Sequence, residues 1–513
     1  MNKIKMIFIL FISFLLSAVA CNKYDYETGE VTFNPDEQQD STTLINLAAG
    51  KFYRANVPAS KDFPDIYPVE PWSTGSKLTD EDTGKTSPKD NIVAWKNQTV
   101  EILLDLGSVQ TVEEVAMHAI ADQLFSMKMP ANASVSLSKD GIDWHDIAGE
   151  FEFNSTIPTE DVWSSIKIDK VDGRYVKFKL VPQANATIAL DEIKVLGEYK
   201  TDAKYVPKNG AYHGAFCPLY GFDLDDREGV TDNNAVVLYE KRVEKQVSLM
   251  LWYQKMARGR NFAEMQDVRQ KYWGKNFDGK QRIFIFGWAN DEIKSVDIAT
   301  GKMDDFFISY FKEVASEEAK ALGPVWFRPM NEMNGSWTGY YGDTKNYVRA
   351  WRRMYNIAEQ LGVTKYNVFV WSPSTMELPE RHDNVMKNYY PGDNYVDWLG
   401  VSCYPPSLGP LYPEDSRYVI AQMANIHNIS KDKPIMITEG GYSTTTDHLR
   451  WVKEWFGIKD VYPRVKGVIW ENHYDRRIHT EPGSLELYKE LVKDPYWLDY
   501  IPQEVLEEME RRK

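Results

Sequence analysis

Residues 325–337, VWFRPMNEMNGSW, constrain this chain more than any other stretch. Val325, Trp326 and Phe327 form an apolar run suited to a buried strand. The run ends in Arg328 and Pro329, then Asn331 and Glu332, with the turn-prone pair Asn334-Gly335 behind. A strand that delivers a carboxylate into the loop at its C-terminal end is how a (β/α)8 barrel presents an acidic group for catalysis. One such carboxylate proves little, because most Glu side chains are simply solvated. A second run repeats the pattern: residues 434–441, PIMITEGG, close an apolar strand on Glu439 and a glycine pair, roughly three βα units further on. Two carboxylates on strand ends of one barrel are the minimum kit for hydrolysing a glycosidic bond.

The count of strands supports that reading. Apolar runs suited to barrel strands occur at 210–216, 248–253, 282–288, 325–329, 367–372, 398–404, 434–439 and 467–470. Between them lie helical stretches. Residues 304–322 carry Phe307, Tyr310, Phe311, Val314 and Ala315 at helical spacing, and 347–361 end at Gly362, a good C-cap. Strand and helix alternating in this way predict a parallel (β/α)8 barrel over 205–490, with 491–513 as a helical, solvated tail.

Residues 43–200 read differently, as short strands separated by turns such as Asp140-Gly141 and Asp172-Gly173. The runs 100–106, 112–118, 133–137, 164–168, 175–180 and 188–196 predict a β-sandwich. The expected architecture is therefore multidomain: an N-terminal β-sandwich followed by the barrel.

The extreme N-terminus looks like an address. Lys3 and Lys5 precede an apolar stretch over 6–20, too short for a comfortable membrane span and fit for a secretory signal. Ala18-Val19-Ala20 before Cys21 resembles a bacterial lipoprotein lipobox. This makes Cys21 the expected lipidation site, residues 1–20 a signal peptide and 21–42 a polar tether of the kind found in Bacteroides-type surface lipoproteins. The expected location is the outer membrane or cell surface of a Gram-negative bacterium.

Composition excludes other classes. The chain has 60 Lys and Arg against 75 Asp and Glu, a formal charge of −15, so it lacks the basic face that nucleic acids need. Its three cysteines, Cys21, Cys217 and Cys403, have no disulfide or metal spacing, and the latter two read as small buried residues. Asp223, Asp225 and Asp226 lack the Gly and Glu of a calcium loop and read as solvated. No cofactor and no metal is expected, and no partner beyond a polysaccharide or oligosaccharide and the membrane reached through the lipid. A monomer is expected.

The motifs FRPMNEMNGSW, WSPS (371–374), YYPGDNYVDWLGVSCY (389–404) and ITEGGYS (437–443) resemble glycoside hydrolase family 26, in the clan of retaining (β/α)8 glycosidases. Family members carry His directly before the acid/base Glu; here Asn331 stands there, as in the wider clan. The resemblance implies Glu332 as acid/base and Glu439 as nucleophile, with carboxyls about 5–5.5 Å apart. It further implies Asn331 on the sugar 2-hydroxyl, Tyr404 with its hydroxyl on the nucleophile, and Trp470 as the aromatic floor at the cleavage point. Arg328, a charged residue near a barrel core, needs a partner that a site carboxylate would supply. Trp337, Trp288, Trp371 and His213 stand at or just past strand ends and are further substrate-binding candidates, and His473 and His479 could line the cleft.

In the N-terminal region, EILLDLG (101–107), VSLSKDGIDWHDI (135–147), GRYVKFKL (173–180) and LDEIKVLGEY (190–199) resemble the discoidin, or coagulation factor 5/8 C-type, fold of many carbohydrate-binding modules. Trp72, Trp95, Trp144 and Trp163 are its candidates for sugar stacking. The expected activity is a retaining endo-β-glycanase, on β-mannan first by family and on β-1,3- or mixed-linkage β-glucan second because of Asn331. The alternative outside enzymology is an inactive surface glycan-binding lipoprotein.

Overall fold

The computed structural model describes residues 23–24, 31–32, 44–65, 74–75, 77–83, 91–153, 160–198, 203–218, 235–272, 279–289, 292–379, 381, 383–405, 418–443, 446–473 and 476–513. Cys21, the signal and most of the tether, Trp72, and Asp223, Asp225 and Asp226 lie outside them. The chain divides into two units, Met1–Thr43 and Leu44–Lys513. In the first, Lys23–Tyr24 (β1) pairs antiparallel with Val31–Thr32 (β2).

The second unit begins with an antiparallel β region. Its strands are Ile45–Asn46 (β3), Tyr53–Ala55 (β4), Thr74–Gly75 (β5), Val93–Lys96 (β6), Val100–Ala121 (β7), Asn132–Ser138 (β8), His145–Asp146 (β9), Glu160–Val181 (β10) and Thr187–Glu198 (β11). They pair in the order β3-β11-β7-β10-β8-β9, with β4 on β7 and β6 on β11. Two pairs of expected strands are fused here, 100–106 with 112–118 and 164–168 with 175–180. The β7–β10 ladder runs through both breaks by shifting register between Lys167 and Val171 and between Gly173 and Tyr175. Alternation does the packing: Val100, Ile102, Leu104 and Leu106 all enter one apolar cluster with Val135, Val176 and Phe178. Trp95 belongs to that core, its indole N–H donating to Val57 O at 3.3 Å. Trp163 is exposed, but its ring carries His118 stacked at 4.8 Å and the Lys194 ammonium at 4.3 Å. Trp144 carries the Lys177 ammonium at 4.1 Å.

The barrel strands follow: Ala211–Phe216 (β12), Leu249–Lys255 (β13), Ile283–Ala289 (β14), Val325–Pro329 (β15), Val368–Trp371 (β16), Trp398–Cys403 (β17), Ile435–Gly440 (β18) and Val465–Glu471 (β19). They pair in parallel in the order β13 through β19, then β12, and β12 closes on β13 through Gly214 and Leu249. All eight expected strands are present, with ends moved by a few residues at most.

The interior of the barrel is set by strand parity. Tyr212, Leu249, Leu251, Ile283, Ile285, Trp326, Val368, Val370, Trp398, Met436 and Ile469 form one buried cluster, so these positions and those two residues on from them point inward. Gly400 is the inward residue after Trp398. A Cβ there would meet Thr438 Cγ2 at 2.7 Å and Val370 Cγ1 at 2.8 Å, so only glycine leaves room for the neighbouring strands.

Two elements differ from expectation. The helix foreseen at 304–322 is two, Asp304–Val314 and Glu317–Ala321, because the Ser316 hydroxyl accepts from Ala319 N–H at 3.2 Å and starts a new helix. The tail is no solvated cap. Trp497–Leu498 (β20) pairs with β12, and helix Gln503–Arg512 buries Val505 and Met509, together with Ile501, against Tyr205, Tyr212, Trp326 and Trp398. It closes the end of the barrel opposite the C-terminal strand ends, and each fully buried side chain is worth about 1.5–3 kcal/mol.

The β region and the barrel meet along helix Thr344–Gln360. Lys51 pairs with Glu359 at 3.0 Å, Arg352 with Glu81 at 2.8 Å and Arg349 with Asp80 at 3.1 Å. Burial pushes Asp80 up to about 6 against the pull of Arg349.

Candidate active site

The C-terminal ends of the barrel strands bring together Tyr253, Arg328, Glu332, Trp337, Ser402, Tyr404, Glu439 and Glu471. Each is placed by local backbone. On β18 the partner of Val401 is Ile437 but the partner of Ser402 is Glu439, so Thr438 is an extra residue in the ladder. Thr438 points inward, its hydroxyl bonded to Val401 O at 3.0 Å and to Ser372 Oγ at 2.8 Å. The bulge re-aims the next side chain, and Glu439 faces inward as well.

Three donors hold Glu439. Arg328 donates to its Oε1 at 2.6 Å, Ser402 donates to the same oxygen at 2.7 Å, and the Tyr253 hydroxyl donates to Oε2. Arg328 also donates to Ser402 at 2.7 Å and to Tyr253 at 3.2 Å, which makes one connected network. Glu439 is 4% exposed and Arg328 is fully buried. Burial first, then the charge of Glu471, push the Glu439 carboxyl up, and Arg476 pulls it back. A buried guanidinium requires an anionic partner, and three donors on two oxygens favour the carboxylate, so the pair is ionic. Burial lowers Arg328 to about 10, which leaves it charged at neutral pH.

Glu332 follows β15 by three residues. Met330 and Glu332 both have left-handed backbone, with φ of +52° and +55°. Side chains rarely adopt this conformation, and surrounding bonds must hold it. Met330 N–H donates to Trp288 O at 2.9 Å and Glu332 N–H to Ser372 O at 2.8 Å. Asn334, read from sequence as a turn residue, is fully buried and bonds Ser374 in both directions, at 2.8 and 2.9 Å. The Glu332 carboxyl accepts from the Trp337 indole N–H at 2.8 Å and lies within electrostatic reach of Arg328 and Tyr404. Trp337 is 45% exposed, as a surface for a sugar ring requires. Asn331 is buried, and its Oδ1 accepts no hydrogen bond from the described residues.

Other expected site residues are elsewhere. His213 is fully buried and faces outward from β12, its Nδ1 against Gln246 O at 2.8 Å and its Nε2 against the Tyr488 hydroxyl at 2.8 Å. Trp288 packs against Tyr310 at 4.6 Å, and Trp371 against Tyr390 at 5.0 Å. Trp470 packs against Trp455 at 5.1 Å and Tyr488 at 5.5 Å, with its N–H on Arg476 O. All three tryptophans lie between strand and helix, almost wholly buried, and cannot touch a ligand in the cleft. Arg328 likewise is sealed from substrate and acts on Glu439. His479 faces Arg242 at 3.0 Å.

The tyrosine that donates to Glu439 is Tyr253, while Tyr404 lies against Glu471, whose charge raises its hydroxyl after burial does. Tyr253, Ser402 and Glu471 were not singled out in the sequence. Parity would have found them, since 251 to 253, 400 to 402 and 469 to 471 each continue an inward row. No cluster of three or more potential metal ligands occurs among the described residues.

Residues 214–431 match the family model of glycosyl hydrolase family 26. Endoglucanase H of Acetivibrio thermocellus is 28% identical over 232 residues, which cover 41% of this chain and 24% of that protein. Mannan endo-1,4-beta-mannosidase A and B of Caldalkalibacillus mannanilyticus is 28% identical over 180 residues, 32% of this chain and 31% of that protein. Among solved structures, GH26C from Muricauda sp. is 17% identical, with a TM-score of 0.43 over 58% of this chain and 90% of that one. The chain thus spans less than a third of the length of the two curated relatives.

Proposed function

We propose that this protein is a retaining endo-β-glycanase that cuts β-mannan, with a β-linked glucan as the second substrate class. The observation that carries the reading is the buried Glu439 carboxylate, held on two oxygens by Arg328, Ser402 and Tyr253 beside a second carboxyl on the loop after β15. Attack by Glu439 Oε on the anomeric carbon breaks the bond to the leaving sugar oxygen, which takes its proton from Glu332. In the second half Glu332 takes a proton from water, the water oxygen bonds to the anomeric carbon, and Glu439 leaves as the carboxylate. The donors on Glu439 position it without a proton, which is what a nucleophile needs.

The open acceptor of Asn331 suits a sugar hydroxyl, which would supply the missing donor. The exposed ring of Trp337 suits an apolar sugar face. Two of the matched relatives, an endoglucanase and a mannanase, support a β-linked polymer as substrate. As part of the same proposal, the antiparallel region is a discoidin-like sugar-binding module. Cys21 carries lipid that anchors a monomer at the outer surface of a Gram-negative cell.

The test is a product profile of residues 22–513 on β-mannan, mixed-linkage β-glucan, β-1,3-glucan and xylan, beside Glu439→Ala. Oligosaccharides released from one polymer and absent with the variant support the reading. Glycan binding without cleavage of any polymer would turn it into a binding protein.

A further inference from the structure

The last barrel strand ends on a carboxylate that the two-carboxylate scheme leaves unused. Glu471 continues the inward row of Gly467 and Ile469, is 8% exposed, and points at the same end of the barrel as Glu439. A Glu so placed is not a solvated surface group, and each of its neighbours is itself part of the site wall. Tyr404 lies close enough for the charge of Glu471 to act on its hydroxyl. His473 Nδ1 lies at 3.1 Å and Arg476 Nε at 3.4 Å, the second an ion-pair contact too long for a hydrogen bond. The same Arg476 guanidinium covers the Tyr404 ring at 4.5 Å.

We propose that Glu471 and Arg476 form a charge pair that positions and tunes the carboxylate of Glu439, so that Glu471 is a third acidic group of the reaction that forms no bond to sugar. The inference rests on Glu439 being the nucleophile. The charged and titratable groups that face Glu439 are Arg328 from β15, Tyr253 from β13, Glu471 from β19 and Arg476 beyond it. Those that face Glu471 are Glu439, Arg328, Tyr404, His473 and Arg476. Arg328 is locked into hydrogen bonds with Ser402, Tyr253 and Glu439, and the charge of Arg476 also acts on Glu439. Glu471 and Arg476 therefore act on Glu439 with opposite sign, and the balance between them adjusts a basicity already set by burial and by the three donors.

The chemistry benefits in both halves of the reaction. Repulsion from Glu471 makes the Glu439 carboxylate more basic and a stronger nucleophile. Once Glu439 is esterified its charge is gone. The charge of Glu471 then remains to favour the positive charge that develops at the anomeric carbon as the ester is cleaved. Arg476 opposes that repulsion.

The experiment reads Glu439 directly. Protein carrying [δ-13C]glutamate is titrated by 13C NMR, with the Glu439 resonance assigned by its loss in Glu439→Gln. In Glu471→Gln the Glu439 midpoint should fall by about one pH unit, and in Arg476→Gln it should rise by a similar amount. Glu471→Asp, which restores the charge, should return it toward the unsubstituted value. The acid limb of kcat/KM on the cleaved polymer should move with these midpoints. A Glu439 midpoint that stays put in both Gln variants, or moves the same way in both, overturns the inference. If Glu471→Gln fails to fold, Arg476→Gln alone decides. Because the NMR titration needs no turnover, a chain that cleaves no glycan refutes the activity without touching this result.

Discussion

Arg328 donates to Oε1 of Glu439 at 2.6 Å, joining β15 to β18 across the barrel mouth, the guanidinium fully buried and the carboxylate 4% exposed. This pair makes the site a preformed one: the position of the Glu439 carboxylate is set by a strand residue, not by a loop. Removing one member of such a pair leaves a buried charge uncompensated.

Arg328→Lys should therefore be severe despite keeping the charge. An ammonium cannot reach Ser402, Tyr253 and Glu439 with the geometry of a planar guanidinium. A loss of about 1–3 kcal/mol from the unmet hydrogen bonds is expected by urea unfolding, with activity lost in the folded fraction. A stability within about 0.5 kcal/mol of the unsubstituted protein would show that the pair is not buried in solution.

Tyr253→Phe removes one donor from the charged form of Glu439 and nothing else from the network but a contact to Arg328. A hydrogen bond to a charged group is worth about 1.5–3 kcal/mol, so kcat/KM should fall about 10- to 100-fold. Since the lost bond favoured the carboxylate, the acid limb of the pH profile should move to higher pH. An unmoved limb would place the Tyr253 hydroxyl elsewhere.

His213 predicts how the fold responds to acid. Burial lowers it to about 4, against an ordinary value of 6.5, so the unfolded chain binds the extra proton first. The stability it contributes is complete above about pH 6.5 and falls as the pH drops toward 4, by about 3 kcal/mol in all. In denaturant melts between pH 7 and 4, His213→Gln should show a shallower loss than the parent. Parallel curves would mean that His213 titrates normally and is solvated.

Gly400→Ala tests the bulge. The new methyl would strike Thr438, whose displacement moves Glu439 directly. A cost of about 1–3 kcal/mol in stability is expected, with a larger fractional loss in kcat than in KM. Unchanged kcat would mean that the barrel accommodates the methyl without shifting β18.

The barrel was legible in the sequence because its strands are short apolar runs spaced by helical periodicity, and the two carboxylates because each follows such a run. The tryptophans and His213 misled because proximity to a strand end says nothing about which face a residue takes. Trp288, Trp371, Trp470 and His213 all have the outward parity, one residue away from the inward rows of Ile285, Val370, Ile469 and Tyr212. Parity alone would also have failed at Glu439, whose inward aim depends on the extra residue Thr438, a feature of pairing between strands that one strand's pattern does not carry. The tail misled for a related reason. Its charged residues dominate the composition, while Val505 and Met509, four apart, supply the single apolar stripe that closes the barrel.

In the proposed mechanism Glu439 attacks the anomeric carbon. Incubation with 2-deoxy-2-fluoro-β-mannobiosyl fluoride and its cellobiosyl counterpart, followed by intact-mass and peptide mass spectrometry, tests it directly. A single stoichiometric glycosyl adduct on Glu439, with Glu439→Gln unlabelled, is the result predicted. Hydrolysis of a glycan with no trapped adduct from either reagent, or an adduct on Glu332 or Glu471, would contradict it.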